Sequence, residues 1–150
     1  MMGEKIREFI AKSCMTMDEE RFDDYLALCS GNYRYRILTF SPDIGREMTW
    51  LDLDASGMHA LLNMVPQHVR LQGKLRRHAS LYTHEERPDH VVSAVSSLIV
   101  SHTALDGETK IFASGQLQDR IALEGDELKL VSRDVLLDTR VFGPGSHVPI

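Results

Sequence analysis

The chain has few of the features that mark several large classes of protein. Two cysteines in 150 residues, Cys14 and Cys29, are too few for a disulfide framework or a cysteine-ligated zinc site, and we expect both to be small buried groups in predicted helices. No apolar run approaches the ~20 residues that span a bilayer, and the N-terminus is amphipathic rather than basic and then apolar. The sequence therefore predicts a cytoplasmic protein without a membrane span or a signal peptide.

An excess of positive charge is also missing. Lys and Arg number 17 against 22 Asp and Glu, which gives a net charge of -5 and a pI near 5.8. Nucleic acids and anionic membranes are bound by surfaces with clustered excess Lys and Arg, so neither is an expected partner. The length and the ordinary hydrophobic fraction of 43% predict one soluble domain over residues 1–150, with a core that needs no metal or disulfide.

Motifs for cofactor chemistry are absent from the sequence as well. The seven histidines include no His-Glu-x-x-His spacing, and no paired cysteines accompany them. There is no Gly-x-Gly-x-x-Gly, P-loop or Gly-x-Ser-x-Gly element. We therefore expect no metal, flavin or nicotinamide site in this chain.

The last third of the chain holds three long strand-like runs, His90–Ala104, Thr109–Glu124 and Glu127–Val141, separated by turns that contain Asp106-Gly107 and Gly125-Asp126. Asp-Gly is a strong hairpin signal, so the runs predict an antiparallel meander. Strands of roughly 15 residues extend about 50 Å and must twist and bend. Gly115 is the predicted bulge or bend in the middle run.

Apolar residues in the first part of the chain recur with the spacing that is typical of helices. Thr16 and Glu19 have the spacing of a capping box, and the apolar residues from Phe22 to Cys29 recur at i, i+3, i+4 and i+7 up to a stop at Gly31. A later helix has Met58, Leu61, Leu62 and Val65 on one face and ends at Pro66. The predicted helices are at about 3–13, 18–30 and 56–65, and the predicted strands are Tyr33–Phe40, Arg46–Leu53 and an extended segment Val69–Thr83 broken near Gly73.

Helices that are grouped apart from strands indicate an α+β fold rather than a parallel βαβ sheet. Three helices on the concave side of a strongly curved antiparallel sheet form a cone, and this layout resembles the cystatin-like fold of nuclear transport factor 2. Enzymes of this fold use a buried Asp or His base with Tyr donors. The alternative to a structural role is therefore a stand-alone isomerase or dehydratase, or a protein that binds a hydrophobic ligand, with a pocket containing Tyr33, Asp52 and His78.

Two segments carry a more specific resemblance. Ala113–Arg120 followed by Leu128–Asp138 resembles the C-terminal signature of the small (β) subunits of aromatic-ring-hydroxylating dioxygenases, and Arg76–Ser80 is similar to their Arg/His-rich segment. The chain is shorter than most such subunits and lacks their Arg-rich helix and aromatic end. These departures favour a divergent branch, such as the small subunit of a methanesulfonate-type monooxygenase.

The resemblance implies a structural subunit without a cofactor of its own. Its partner would be a large (α) subunit that holds a Rieske 2Fe–2S cluster and a mononuclear iron. The resemblance also implies a homotrimer of the small subunit alone, or a mixed hexamer with the large one.

Several charged residues and the single tryptophan are candidates for the subunit interface. Charges that alternate along a strand face select a partner, although a structural ion-pair lattice within the strand is the simpler interpretation for Arg133 and Arg140. The candidate interface residues are Trp50, Arg76, Arg77, His78, Arg133 and Arg140.

Overall fold

The computed structural model describes residues 2–65, 72–140 and 150. Their backbone forms three helices and one six-stranded sheet, with strand order β2-β1-β6-β5-β4-β3. The elements are α1 (Met2–Asp18), α2 (Phe22–Ala27), β1 (Cys29–Ser41), β2 (Arg46–Asp54), α3 (Ala55–Met64), β3 (Lys74–Glu86), β4 (Val91–Thr103), β5 (Thr109–Glu124) and β6 (Glu127–Leu137).

The α+β cone that the element order predicts is confirmed. Strands β3 to β6 form the expected antiparallel meander, and β1 and β2 form a further antiparallel hairpin. The two units join through β1 and β6, which run parallel, so one neighbouring pair departs from the predicted antiparallel sheet. Each strand pairing contains a register shift, and such shifts bend and twist a long sheet.

The core lies between one face of the sheet and the three helices. Ile6, Phe9 and Ile10 of α1 and Met58 and Leu62 of α3 are buried against the sheet. The inner face of β4 follows the strand period of two, because every second residue is buried. The inward residues of this strand are Val92, Ala94, Ser96, Leu98 and Val100.

The two front helices differ from their predicted bounds. α1 continues to Asp18, so Thr16 lies inside the helix, and its hydroxyl donates to the carbonyls of Lys12 and Ser13. The predicted capping box is therefore wrong. α2 ends at Ala27. The chain then pairs with β6, and the N–H of Leu130 donates to the carbonyl of Leu28 at 2.8 Å. Cys29 and Gly31 consequently lie in β1 rather than in a helix and its cap.

The other predicted bounds are closer to the structure. The predicted break near Gly73 is present, because this residue has a φ of +102° and β3 begins directly after it. The predicted helix stop at Pro66, the start of the extended segment at Val69 and the end of the last run at Val141 lie outside the described residues.

Gly115 allows close packing rather than a bulge. The register shift between β4 and β5 lies at Val100 and Ser101, and that between β5 and β6 lies at Arg120 and Ile121. A Cβ at position 115 would stand 2.1 Å from the carbonyl oxygen of Leu136, which real contacts do not allow. The absence of a side chain therefore lets β5 and β6 approach each other at this point.

We expect Gly115→Ala to destabilise the fold by about 1–3 kcal/mol or more, because the backbone of β6 has to move away from the new methyl group. Gly31→Ala is the matched control, since no atom lies within 4 Å of a Cβ placed at Gly31. The free energy of unfolding, measured in urea, is the readout. Equal stabilities for the two variants would contradict the close-packing role.

Candidate functional site

A buried ion pair lies on the concave side of the sheet. Asp119 of β5 and Arg133 of β6 stand directly opposite each other in register, and the guanidinium donates from Nε and Nη2 to the two carboxylate oxygens at 2.8 and 2.9 Å. Their side chains are 0% and 4% exposed. Burial alone would lower the pKa of Arg133, but the charge and hydrogen bonds of Asp119 outweigh it and hold that pKa well above its usual value. The guanidinium of Arg133 is therefore charged in the core, where it is bound to the carboxylate of Asp119.

Two tyrosines lie in the same interior. The hydroxyl oxygens of Tyr25 and Tyr33 are 2.5 Å apart, and the rings meet edge to face with their centroids 6.3 Å apart. Burial raises the pKa of both phenols. Neither hydroxyl is placed to lose its proton near neutral pH, so this pair does not supply a general base.

The remaining interior space at this position is small. Tyr35 is fully buried, and its hydroxyl donates to the carbonyl of Ile150 at 3.2 Å and accepts from the N–H of Ile150 at 2.9 Å. Ile150 lines a cavity together with Tyr25, Arg133 and others, and the cavity volume is about 10 Å³. That is roughly the room of one water, whereas ligand pockets measure about 300–1,000 Å³.

The three residues of the alternative catalytic pocket do not meet. Tyr33 is in the core, Asp52 is on edge strand β2, and His78 is on β3 at the opposite edge of the sheet. Asp52 accepts two hydrogen bonds from Arg34, at 2.8 and 2.6 Å, and these lower its pKa. His78 is exposed and contacts the hydroxyl of Ser101 at 3.1 Å. The structure therefore does not bring Tyr33, Asp52 and His78 into one site.

Two of the six candidate interface residues are inside the chain. Arg133 is paired with Asp119, and Arg77 of β3 is 8% exposed and bound to Asp18 at the end of α1. The carboxylate of Asp18 accepts from the Arg77 side chain at 2.8 Å and from its backbone N–H at 3.0 Å. Their positive charges are neutralised within the fold, so neither Arg77 nor Arg133 offers a free charge to a partner.

The other four candidate residues reach the surface. Arg76 and His78, the neighbours of Arg77 in β3, are exposed on the outer face of the sheet. Arg140 is exposed just after β6. Trp50 is 36% exposed and lies on β2, opposite the point where the register of β1 shifts between Ile37 and Leu38. An interface role for these four residues stays a prediction.

The sequence contained one usable signal for the buried pairs. Asp119 lies between the inward apolar positions Leu117 and Ile121, so the strand period of two alone places it in the core. Arg133 also lies between two inward apolar residues, Leu130 and Val135. A register shift separates Leu130 from Arg133 by three positions, so the alternation of two is interrupted there. Nothing local in the sequence indicates that Asp18 meets Arg77, which is 59 residues away.

Within the described residues, no three His, Cys, Asp or Glu side chains are close enough together to hold a metal ion. None of the helices in the same part of the chain is both long and apolar enough to cross a membrane.

We expect Arg133→Met to cost about 3–5 kcal/mol of stability, because it leaves the carboxylate of Asp119 buried without its partner. The double variant Asp119→Leu with Arg133→Met removes both charges and should be markedly more stable than the single one. Urea unfolding of the wild type and the variants measures both differences. A single variant as stable as the wild type would contradict the stabilising role of the Arg133–Asp119 pair.

We expect the protein to lose stability at high pH because of the thiol of Cys29 and the phenol of Tyr35. Burial raises the pKa of Cys29 from 9.0 to about 12 and that of Tyr35 from 10.0 to about 12. Folding therefore favours the protonated forms, and this contribution is complete below the unfolded values and is lost as the pH rises through the folded ones. The urea midpoint should fall from about pH 9 upward, and less steeply in Cys29→Ala. Parallel curves for the two proteins would contradict the assignment to Cys29.

Two known proteins that are similar to this chain along its length are subunits of oxygenases. No family model matches the chain. It is 36% identical over 145 residues to the beta subunit of 2-aminobenzenesulfonate 2,3-dioxygenase from Alcaligenes sp., a match that covers 97% of each protein. It is 30% identical over 157 residues to the hydroxylase beta subunit of methanesulfonate monooxygenase from Methylosulfonomonas methylovora, with 99% of this chain and 87% of the relative covered.

A solved structure shares the fold. The beta subunit of a protein assigned as an aromatic-ring-hydroxylating dioxygenase from Novosphingobium aromaticivorans superposes with a TM-score of 0.76 at 23% identity, over 92% of this chain and 90% of that one. The two curated relatives match along almost the whole sequence, beyond the segments that carry the resemblance. This chain therefore belongs to the family of small (β) subunits of the ring-hydroxylating oxygenases.

Proposed function

We propose that the chain is the structural small subunit of a Rieske-type oxygenase and acts by assembling with a catalytic large subunit. The observation that carries the proposal is the whole-length similarity to two oxygenase β subunits. In the described part of the chain, the cavity beside Tyr25 and Arg133 has a volume of only about 10 Å³, which supports a role at the outer surface of the cone.

The side chains on the concave side of the sheet argue against a stand-alone isomerase or dehydratase. Such an enzyme needs a pocket in which an acid or base and a hydrogen-bond donor converge on the substrate. Among the described residues on this side, Arg133 bonds to Asp119 and Tyr25 bonds to Tyr33. Their hydrogen-bonding groups are used within the protein rather than directed at a ligand.

The redox centres belong to the large subunit in this proposal. Rieske clusters require a Cys₂His₂ set, and mononuclear iron sites of oxygenases use two histidines and a carboxylate. The described residues bring no such set together, and Cys14 and Cys29 are a buried thiol and a half-buried one. This chain would support the assembly around the large subunit and hold no electron carrier.

The names of the two relatives suggest the class of substrate. One is a subunit of an enzyme named for 2-aminobenzenesulfonate and the other of an enzyme named for methanesulfonate, and both compounds are sulfonates. We propose that the complex containing this chain oxidises a sulfonated compound, which would bind in the large subunit. The small subunit is proposed to form a homotrimer alone and a mixed hexamer with its partner.

Co-production with the Rieske large subunit encoded nearest to it tests the proposal. The tagged chain should co-purify with that subunit. The complex should contain iron, show the absorption spectrum of a 2Fe–2S cluster, and consume oxygen when a sulfonate is added. The chain purified alone should contain no stoichiometric iron. A Rieske large subunit from an unrelated oxygenase is the control for specific binding.

Two results would contradict the proposal. The first is stoichiometric iron or a 2Fe–2S spectrum in the isolated chain. The second is a failure to bind the large subunit together with isomerase or dehydratase turnover by the chain alone, which would favour the stand-alone enzyme.

A further inference from the structure

The two outer strands of the sheet carry different surfaces. β2 is at one edge and β3 at the other, with four strands between them. The edge of β3 is covered by α1, which packs along it and binds it through Asp18. None of the nine residues of β2 is fully buried. In the part of the chain that the structure describes, no strand pairs along the outer side of β2, and an edge strand of this length is a surface that proteins normally protect or pair.

The hairpin of β1 and β2 projects from the sheet. β1 pairs with β6 as far as Thr39 and Leu137, whereas its pairing with β2 continues to Ser41 and Arg46. The projecting end, residues 40–48, is called the hairpin tip below. Three large apolar side chains of the hairpin tip are exposed, namely Phe40 (58%), Ile44 (54%) and Met48 (40%).

The hairpin tip is also acidic on one face. Glu47 stands directly across the strand pair from Phe40, so the two side chains share the outer face of the sheet. Glu47 is exposed and makes no ion pair with any residue in the described part of the chain. The tip thus presents an aromatic ring beside an exposed carboxylate.

The opposite edge offers a groove with the complementary chemistry. It lies between α1 and β3, has a volume of about 670 Å³ and contains the exposed apolar side chains of Met15 (48%) and Ile99 (44%). Arg76 and His78 lie on the same outer face as Ile99, since His78 pairs directly with Ile99 in register. Arg76 is exposed and has no ion-pair partner among the described residues.

We propose that the hairpin tip of one copy docks into the α1–β3 groove of a second copy, with Phe40 against Met15 and Ile99 and with Glu47 facing Arg76. The two surfaces match in charge and in apolar character, and both are on this chain, so a second copy satisfies each of them. Their location at opposite edges of the sheet makes the contact head-to-tail, which closes into a ring when the rotation allows. This inference deepens the proposed self-association and rests on it.

Charge exchange tests the contact directly. Glu47→Arg and Arg76→Glu should each weaken self-association of the purified full chain by on the order of tenfold or more, because each places like charges together. The double variant Glu47→Arg with Arg76→Glu restores an opposite pair and should recover most of the lost association. Sedimentation velocity over a concentration series gives the association constants.

Two further variants complete the experiment. Glu124→Arg makes the same change of charge at the exposed end of β5 and should leave association unchanged. Phe40→Asp removes the apolar anchor and should weaken association as strongly as Glu47→Arg. Thermal unfolding curves identify any variant that is misfolded. Only the variants that fold are then used to compare the association of the double variant with that of the single variants.

Self-association that is unchanged in both single variants, or a double variant no stronger than the singles, would overturn the contact. So would a wild-type chain that remains monomeric at high concentration. If Glu47→Arg abolishes co-purification with the large subunit but leaves self-association intact, the hairpin tip binds the large subunit instead. Co-purification of the wild type with that subunit tests the proposed function separately from all of these results.

Discussion

The interior of the cone is organised around one ion pair that is held away from water. A carboxylate and a guanidinium lose much hydration free energy on burial, and they recover it only with close geometry and satisfied hydrogen bonds. Asp119 and Arg133 have this geometry because they are directly opposite on neighbouring strands. A slip of one residue between β5 and β6 would separate them and turn the side chain of the slipped strand to the outer face. The pair therefore helps to fix the register of the meander.

The same pair determines which functions the fold can carry. In a cone-fold enzyme the concave face of the sheet surrounds the substrate, and polar side chains there are directed at the ligand. Among the described residues on this face, Arg133 bonds to Asp119, Tyr25 bonds to Tyr33, and Tyr35 binds the backbone of Ile150. A charged pair with its bonds satisfied internally offers little to a ligand that enters. These contacts agree with membership of a family of oxygenase subunits.

The parts of the structure that follow from local pattern were predictable, and those that depend on distant contacts were not. The hairpin turns and the strand runs of the meander follow from Asp-Gly signals and a period of two, and β5 spans Thr109–Glu124 as predicted. The parallel pairing of β1 with β6 joins residues about a hundred positions apart and leaves no local trace. Arg77 and Arg133 were assigned to an interface from charge alone. Their acidic partners come from other elements, and only the tertiary structure reveals that both arginines are neutralised inside the fold.

The outer face of the sheet explains how an exposed edge strand can present a defined docking surface. Arg34 of β1 binds Asp52 of β2 through two hydrogen bonds, and Arg36 of β1 binds Asp134 of β6 in the same way. These side-chain pairs connect β2 through β1 to β6, the strand that also carries Arg133. Exposed ion pairs add little to stability when isolated, but fork-shaped pairs restrict the orientation of the strands that they join. A hairpin oriented in this way has less freedom to lose when it binds, so more of its contact free energy remains for association.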